Sequence, residues 1–132
     1  MMPLPAPTAF FGKTYGEAME LLVEARDYLA FSQSPEGRLL PPMARLVMSS
    51  ETLRLTARLT QIMGWLLTQR AVQTGELSQD EAMAEPLAEV EVCMAGAGNE
   101  AGGLPPRLSD LLGRSRRLYV RVARLDELTR RV

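Results

Sequence analysis

PMARLVMSSETLRLTARLTQIMGWLLTQRAVQT, residues 42–74, reads as one long helix and decides the fold class. At 1.5 Å per residue it would extend roughly 48 Å. Pro42 suits a first helical turn and Gly75 suits the stop. Leu46, Leu53 and Leu67 repeat in sevens with Thr60 filling the gap, and Ser50, Ala57, Gly64 and Ala71 repeat in sevens beside them. The small-residue stripe would let another helix approach closely. Met48, Leu55, Leu59, Ile62 and Leu66 occupy a different side. A helix that is apolar on more than one side is either central or part of an interface. Homodimerisation through this helix is therefore expected, with Ser50, Leu55, Ala57, Leu59, Ile62, Gly64, Leu66 and Ala71 as the candidate dimer or packing face. Trp65, the only tryptophan, is read as core packing at the bundle edge, with an exposed binding anchor as the alternative.

Shorter amphipathic segments flank this one. Ala18, Leu21, Leu22, Ala25 and Leu29 form one face of a helix over about 15–32, and Thr14 with Glu17 reads as a T-x-x-E capping box at its start. Leu108, Leu111, Ser115, Leu118, Val122, Leu125, Thr129 and Val132 alternate steps of three and four, a short coiled-coil-like seam over about 107–131. Ser34-Pro35, Gly37 and Pro41-Pro42 break the chain after the first helix. A Gly/Pro-rich connector covers 85–106, and before it Ser78-Gln79-Asp80-Glu81 reads as a capping box for a short helical turn. The predicted fold is all-α: one domain over 1–132, an antiparallel three-helix bundle with a long central helix, an extra short helical turn and a long acidic connector.

The chain has 132 residues, with 46% apolar and 23% charged, enough for one core. It contains no histidine and a single cysteine, Cys93. That leaves no internal disulfide, no CxxC site, no Ser-His-Asp triad and none of the usual imidazole-containing metal sites. Ser49-Ser50-Glu51-Thr52 is rich in nucleophiles but lies inside a helix with no base beside it. Lys13 is the only lysine and precedes the expected first helix. Cys93 lies in the acidic connector, where carboxylates disfavour a thiolate. The expectation is a protein that is not an enzyme and uses no cofactor. Met1 to Pro7 has neither the basic nor the apolar region of a signal peptide, and no apolar run reaches 18 residues. A cytoplasmic location without membrane insertion is expected.

The net charge of -1 conceals strong segregation. Residues 71–106 carry 7 acidic groups and no basic one, whereas 107–132 carry 8 arginines against Asp110, Asp126 and Glu127. On the first helix Glu17, Glu20, Glu24 and Asp27 make an acidic stripe, read as a solvated or partner-facing surface. A di-iron site is not expected, because such sites draw histidines from E-x-x-H motifs. Arginines of the last helix, among them Arg117, Arg121 and Arg124, form heptad lines. They could offset the acidic stripe or the connector, dock a protein, or neutralise phosphates. Nucleic acid is the weaker partner class: the chain lacks a short helix-turn-helix and a glycine-rich phosphate loop, and the acidic segments would repel DNA. Glu17, Glu20, Glu24, Asp27, Arg54, Arg58, Arg117, Arg121 and Arg124 are the candidate protein-docking residues.

FFGKTY at 10–15, running on through Glu17-Ala18 to LLVEARDY at 21–28, resembles the opening of the RcdA family, alphaproteobacterial regulators of CtrA degradation first catalogued as an uncharacterised domain. So do SSETLRLTARLTQIM at 49–63, WLL at 65–67, QRAV at 69–72 and Gly75-Glu76. Leu108-Ser109 and the run from Ser115 to Leu125 resemble the family more loosely. The resemblance implies a small helical bundle that dimerises and acts without catalysis. It implies an adaptor role in cell-cycle proteolysis, bridging a response-regulator-primed ClpXP protease and substrates or further adaptors. Partners implied are a second copy, ClpX, a receiver-domain protein and client substrates. The competing readings are a DNA-associated regulator using the basic C-terminal helix, or a structural helical dimer with neither role. The matching strings include Tyr15, Glu24, Arg26, Asp27 and Tyr28 on the first helix. On the second they include Ser50, Glu51, Arg54, Arg58, Gln61, Trp65 and Arg70. Family members can continue into a tail used in delivery, whereas this sequence ends at Val132. The expectation is that the tail is dispensable or that only part of the adaptor role is performed.

Overall fold

The structure is a computed structural model and describes residues 5–32, 39–84, 87 and 104–130. Helices α1 (Pro5–Ser32), α2 (Pro42–Gln73), α3 (Gln79–Met83) and α4 (Pro106–Arg130) are connected in that order, and no strand occurs among the described residues. Most of the 85–106 connector, including Cys93, lies outside the described residues.

Local chemistry explains the ends of α2. Pro42 occupies the first helical positions, where its missing N–H has no intrahelical acceptor to lose. At the other end Gly75 adopts φ 82°. The Glu76 N–H donates to Ala71 O at 2.9 Å and the Gly75 N–H to Val72 O at 3.2 Å, a Schellman closure that favours glycine. The threonines along α2 return their hydroxyls to the carbonyl four residues back, as Thr52 does to Met48 at 2.7 Å and Thr60 to Thr56 at 2.7 Å. Ser78 caps α3 through a complete capping box: its Oγ accepts from the Glu81 N–H, and the Glu81 carboxylate accepts from the Ser78 N–H.

α1 begins ten residues before the expected start. Thr14 is buried at 2% exposure in the middle of the helix and caps nothing at an end. Pro5 and Pro7 fall in the first turn, where backbone N–H groups need no intrahelical partner, so prolines that look like a break are accommodated. Further along, Gly16 is exposed, and a Cβ there would meet nothing within 4 Å. Gly16→Ala is therefore expected to stabilise the fold by about 0.5–1 kcal/mol. Thermal unfolding followed by circular dichroism should show a midpoint raised by about 2–4 °C.

One core joins α1, α2 and α4. Ala18, Leu21, Ala25 and Tyr28 meet Leu55, Leu59, Ile62 and Leu66, with Leu108, Leu111, Leu118, Tyr119 and Val122 closing the third side. Three contacts fix the directions. Tyr28 at the end of α1 donates its hydroxyl to Met48 Sδ near the start of α2 (3.2 Å), while Arg70 near the end of α2 lies 5.6 Å from the Tyr15 ring, so α1 and α2 are antiparallel. Arg107 at the start of α4 lies 5.9 Å from the Tyr28 ring. Arg58 reaches Ser115 and Trp65 reaches Asp126, so α2 and α4 run parallel. The expected antiparallel bundle is corrected accordingly: the last helix opposes the first and accompanies the second. The chain between Ala84 and Leu104 joins opposite ends of the bundle, and its 19 residues can span up to roughly 60 Å, ample for a helix of α4's length.

Candidate docking surfaces

The first surface is a charged seam between α1 and α4. Arg114 donates from Nη1 and Nη2 to the two Glu24 oxygens at 2.8 and 2.7 Å, and Nη1 also reaches Asp110 at 3.1 Å. Seven residues away on both helices, in opposite senses, Arg121 makes the same fork on Glu17, with Nη1 at 3.1 Å. The planar guanidinium suits such bidentate pairing. Half of the acidic stripe therefore has its charge answered across the α1–α4 contact. The groups are part-exposed, so each clamp contributes only about 0.2–1 kcal/mol. Their value lies in setting the register of α4 on α1.

Hydrogen bonds from Arg121 and Arg114, partly opposed by desolvation, hold the Glu17 and Glu24 carboxyls below their ordinary value of 4.5. The same pairs raise both arginines. A carboxyl lowered on folding stabilises above its unfolded pKa and loses that contribution as pH falls through the lowered value. Wild type is expected to exceed Glu17→Gln/Glu24→Gln in urea midpoint at neutral pH, and the gap should close as pH falls below 4.5 through the lowered carboxyl values.

The other candidate docking residues separate. Glu20 is exposed, as is Asp27, which pairs with its neighbour Arg26 at 3.2 Å. Arg54 is half-buried and donates to the buried Glu51 at 3.2 Å. Arg58 is only 3% exposed; its Nη1 donates to Leu112 O at 3.1 Å and to Ser115 Oγ at 2.7 Å, inside the α2–α4 contact. Its spacing from Leu55 and Ile62, at i−3 and i+4, was the available signal that it belongs to the inward face. Arg117 and Arg124 are exposed. Arg116, absent from the sequence-based candidates, is exposed beside them. These three arginines and Arg121 surround the half-buried Val120 in a shallow hollow on α4.

α2 presents two faces. Leu55, Leu59, Ile62 and Leu66 are buried in the core. Ser50, Ala57 and Gly64 are exposed on the side opposite, with Ala71 half-buried. Leu46, Leu53 and Leu67 share that outer side at 63, 71 and 51% exposure, and Met43 continues it. Residues 43, 46, 50, 53, 57, 60, 64, 67 and 71 alternate steps of three and four, so at 3.6 residues per turn they form one nearly straight seam. Trp65 is buried and donates Nε1–H to Asp126 at 2.9 Å, which makes it part of the α2–α4 contact.

Among the described residues no three His, Cys, Asp or Glu side chains converge as a metal site, and no helix is long and apolar enough to cross a membrane. What the fold offers is a charge-clamped helical bundle with separate apolar and basic outer faces. Comparison with solved structures places it beside RcdA from Caulobacter crescentus CB15, at 38% identity over 90% of this chain and 89% of that one, with a TM-score of 0.73. The family described as "Protein of unknown function (DUF1465)" matches residues 6–132. The chain belongs to that family and is a homologue of RcdA. No curated protein matches it.

Proposed function

We propose that this protein is a non-catalytic regulator of proteolysis, an adaptor that bridges a response-regulator-primed ClpXP protease and substrates or further adaptors in the cell cycle. The observation that carries the reading is the likeness to RcdA over nine tenths of both chains. The structure supports it in kind: its outward features are faces suited to macromolecules. In this reading a second copy covers the outer seam of α2, and ClpX, a receiver-domain protein and clients meet the charged faces.

Affinity capture from an alphaproteobacterial lysate, with ATPase-trapped ClpX present and mass spectrometry as readout, tests the adaptor role. Recovery of ClpX or a receiver-domain protein is expected, with loss when Glu20 and Asp27 are reversed. Both are exposed and lie outside the interhelical clamps, so their reversal leaves the bundle intact. Recovery of the bait alone at physiological salt would remove the delivery role.

A further inference from the structure

We propose that the arginine face of α4, formed by Arg116, Arg117 and Arg124 around Val120, is a docking groove for a short acidic peptide segment of a partner protein. The proposal deepens the adaptor reading and rests on it for the partner's being a protein.

Elsewhere on α4 the described arginines have partners: Arg114 pairs with Glu24 and Asp110, Arg121 with Glu17 and Arg130 with Asp126 at 3.0 Å, while Arg107 lies 5.9 Å from the Tyr28 ring. Arg116, Arg117 and Arg124 have no hydrogen bond or ion pair among the described residues. The one acidic helix neighbour, Glu127 three residues after Arg124, makes no ion pair with it, and positions four away offer none. Positions four before and after Arg117 hold Gly113 and Arg121; those around Arg116 hold Leu112 and Val120; those around Arg124 hold Val120 and Leu128. Like charges at i,i+4, as at Arg117 and Arg121, are themselves unfavourable on a helix, so an external anion would relieve the face.

The shape of the face favours a peptide. Val120 and the aliphatic stems of the surrounding arginines give the hollow an apolar floor that accepts a side chain as well as carboxylates. From Arg116 to Arg124 the face spans about 12 Å along the helix, the length of three or four extended residues. Duplex DNA is a poorer match, because the neighbouring α1 carries Glu17, Glu20, Glu24 and Asp27 and a broad polyanion lying across the groove would approach them.

Fluorescence anisotropy with a fluorescein-labelled peptide of Glu-Glu-Leu repeats tests the inference, alongside its Lys-Lys-Leu counterpart and a short duplex DNA. The acidic peptide is expected to bind wild type at physiological salt and the basic one not to bind. Arg116→Glu/Arg117→Glu/Arg124→Glu should weaken binding by about tenfold or more, with an unchanged circular dichroism spectrum. The glutamine triple serves as the milder variant should reversal disturb the fold, with an intermediate loss. Val120→Ser should weaken binding without changing its salt dependence, the sign of an apolar floor. Absence of peptide binding, equal binding by both triples and wild type, or tighter arginine-dependent binding of the duplex would overturn the proposal. The triples are also carried through the lysate capture. Retention of ClpX or a receiver-domain protein alongside failed peptide binding removes this groove and leaves the adaptor role. Loss of all capture by wild type removes the adaptor role itself.

Discussion

Replacing Arg58 with alanine is expected to destabilise the bundle by about 2–4 kcal/mol, a large part of what a domain this size possesses. The guanidinium lies at the α2–α4 contact, and its bonds to Leu112 O and Ser115 Oγ form a triangle closed by Ser115 Oγ donating to Leu112 O at 3.0 Å. Truncation leaves a void beside Leu112 and Ser115 and removes a donor from two buried acceptors. Arg58→Met retains most of the volume and removes the charge, so it isolates packing from hydrogen bonding. Replacing a buried charge with a well-packed apolar side chain is often nearly neutral, and methionine is expected to lose much less than alanine. Urea unfolding followed by circular dichroism measures both. A double-mutant cycle with Ser115→Ala should show non-additivity, because each substitution removes the same bond. Equal stability of Arg58→Ala and wild type would show that the arginine is not part of the core contact.

The second large effect concerns assembly. In the proposed dimer Leu53 is buried twice, once from each copy, and full burial of a leucine stabilises by about 1.5–3 kcal/mol. Leu53→Glu is therefore expected to raise the dimer dissociation constant by at least about a hundredfold. The fold of each copy should survive, since Leu53 is 71% exposed in the single chain. Gly64 supplies an independent check. A Cβ there meets nothing within 4 Å in one copy, so Gly64→Leu should leave the monomer folded while obstructing close helix approach at the seam. Sedimentation equilibrium should give twice 14.6 kDa for wild type and 14.6 kDa for either variant at micromolar concentration. A monomeric wild type would sink the idea that a second copy covers this face.

Much of the fold is legible in the residues. Pro42 and Gly75 mark α2 to within a residue, because both act through backbone geometry that tertiary contacts cannot replace. The Ser78 box and the α4 seam are equally local. The start of α1 is not, because T-x-x-E at 14–17 fits a helix interior as well as a cap. Only the partner distinguishes the two cases, and Glu17 turns to Arg121 across the bundle. Helix direction is also non-local. Acidic and basic stripes are visible on separate segments, but their pairing depends on which way α4 lies. Arg58 is the instructive site residue: its charge suggested a surface, whereas its spacing among Leu55, Leu59 and Ile62 pointed inward, and the spacing agreed with the structure.

The parallel course of α2 and α4 carries a consequence for the order in which the bundle forms. α1 and α2 meet through a short connection, so their contacts close a small loop and can form early. α4 must first be carried back along the whole bundle before Arg107 reaches Tyr28 and Trp65 finds Asp126. Until then the hairpin of α1 and α2 is an open trough floored by Leu21, Leu59 and Ile62. The trough is selective for direction, since a helix entering the wrong way round would take Ser115 from Arg58 and Asp126 from Trp65. Those two unlike contacts thus act as a key that admits α4 in one orientation and turns a generic apolar trough into a specific receptor for the chain's own last helix.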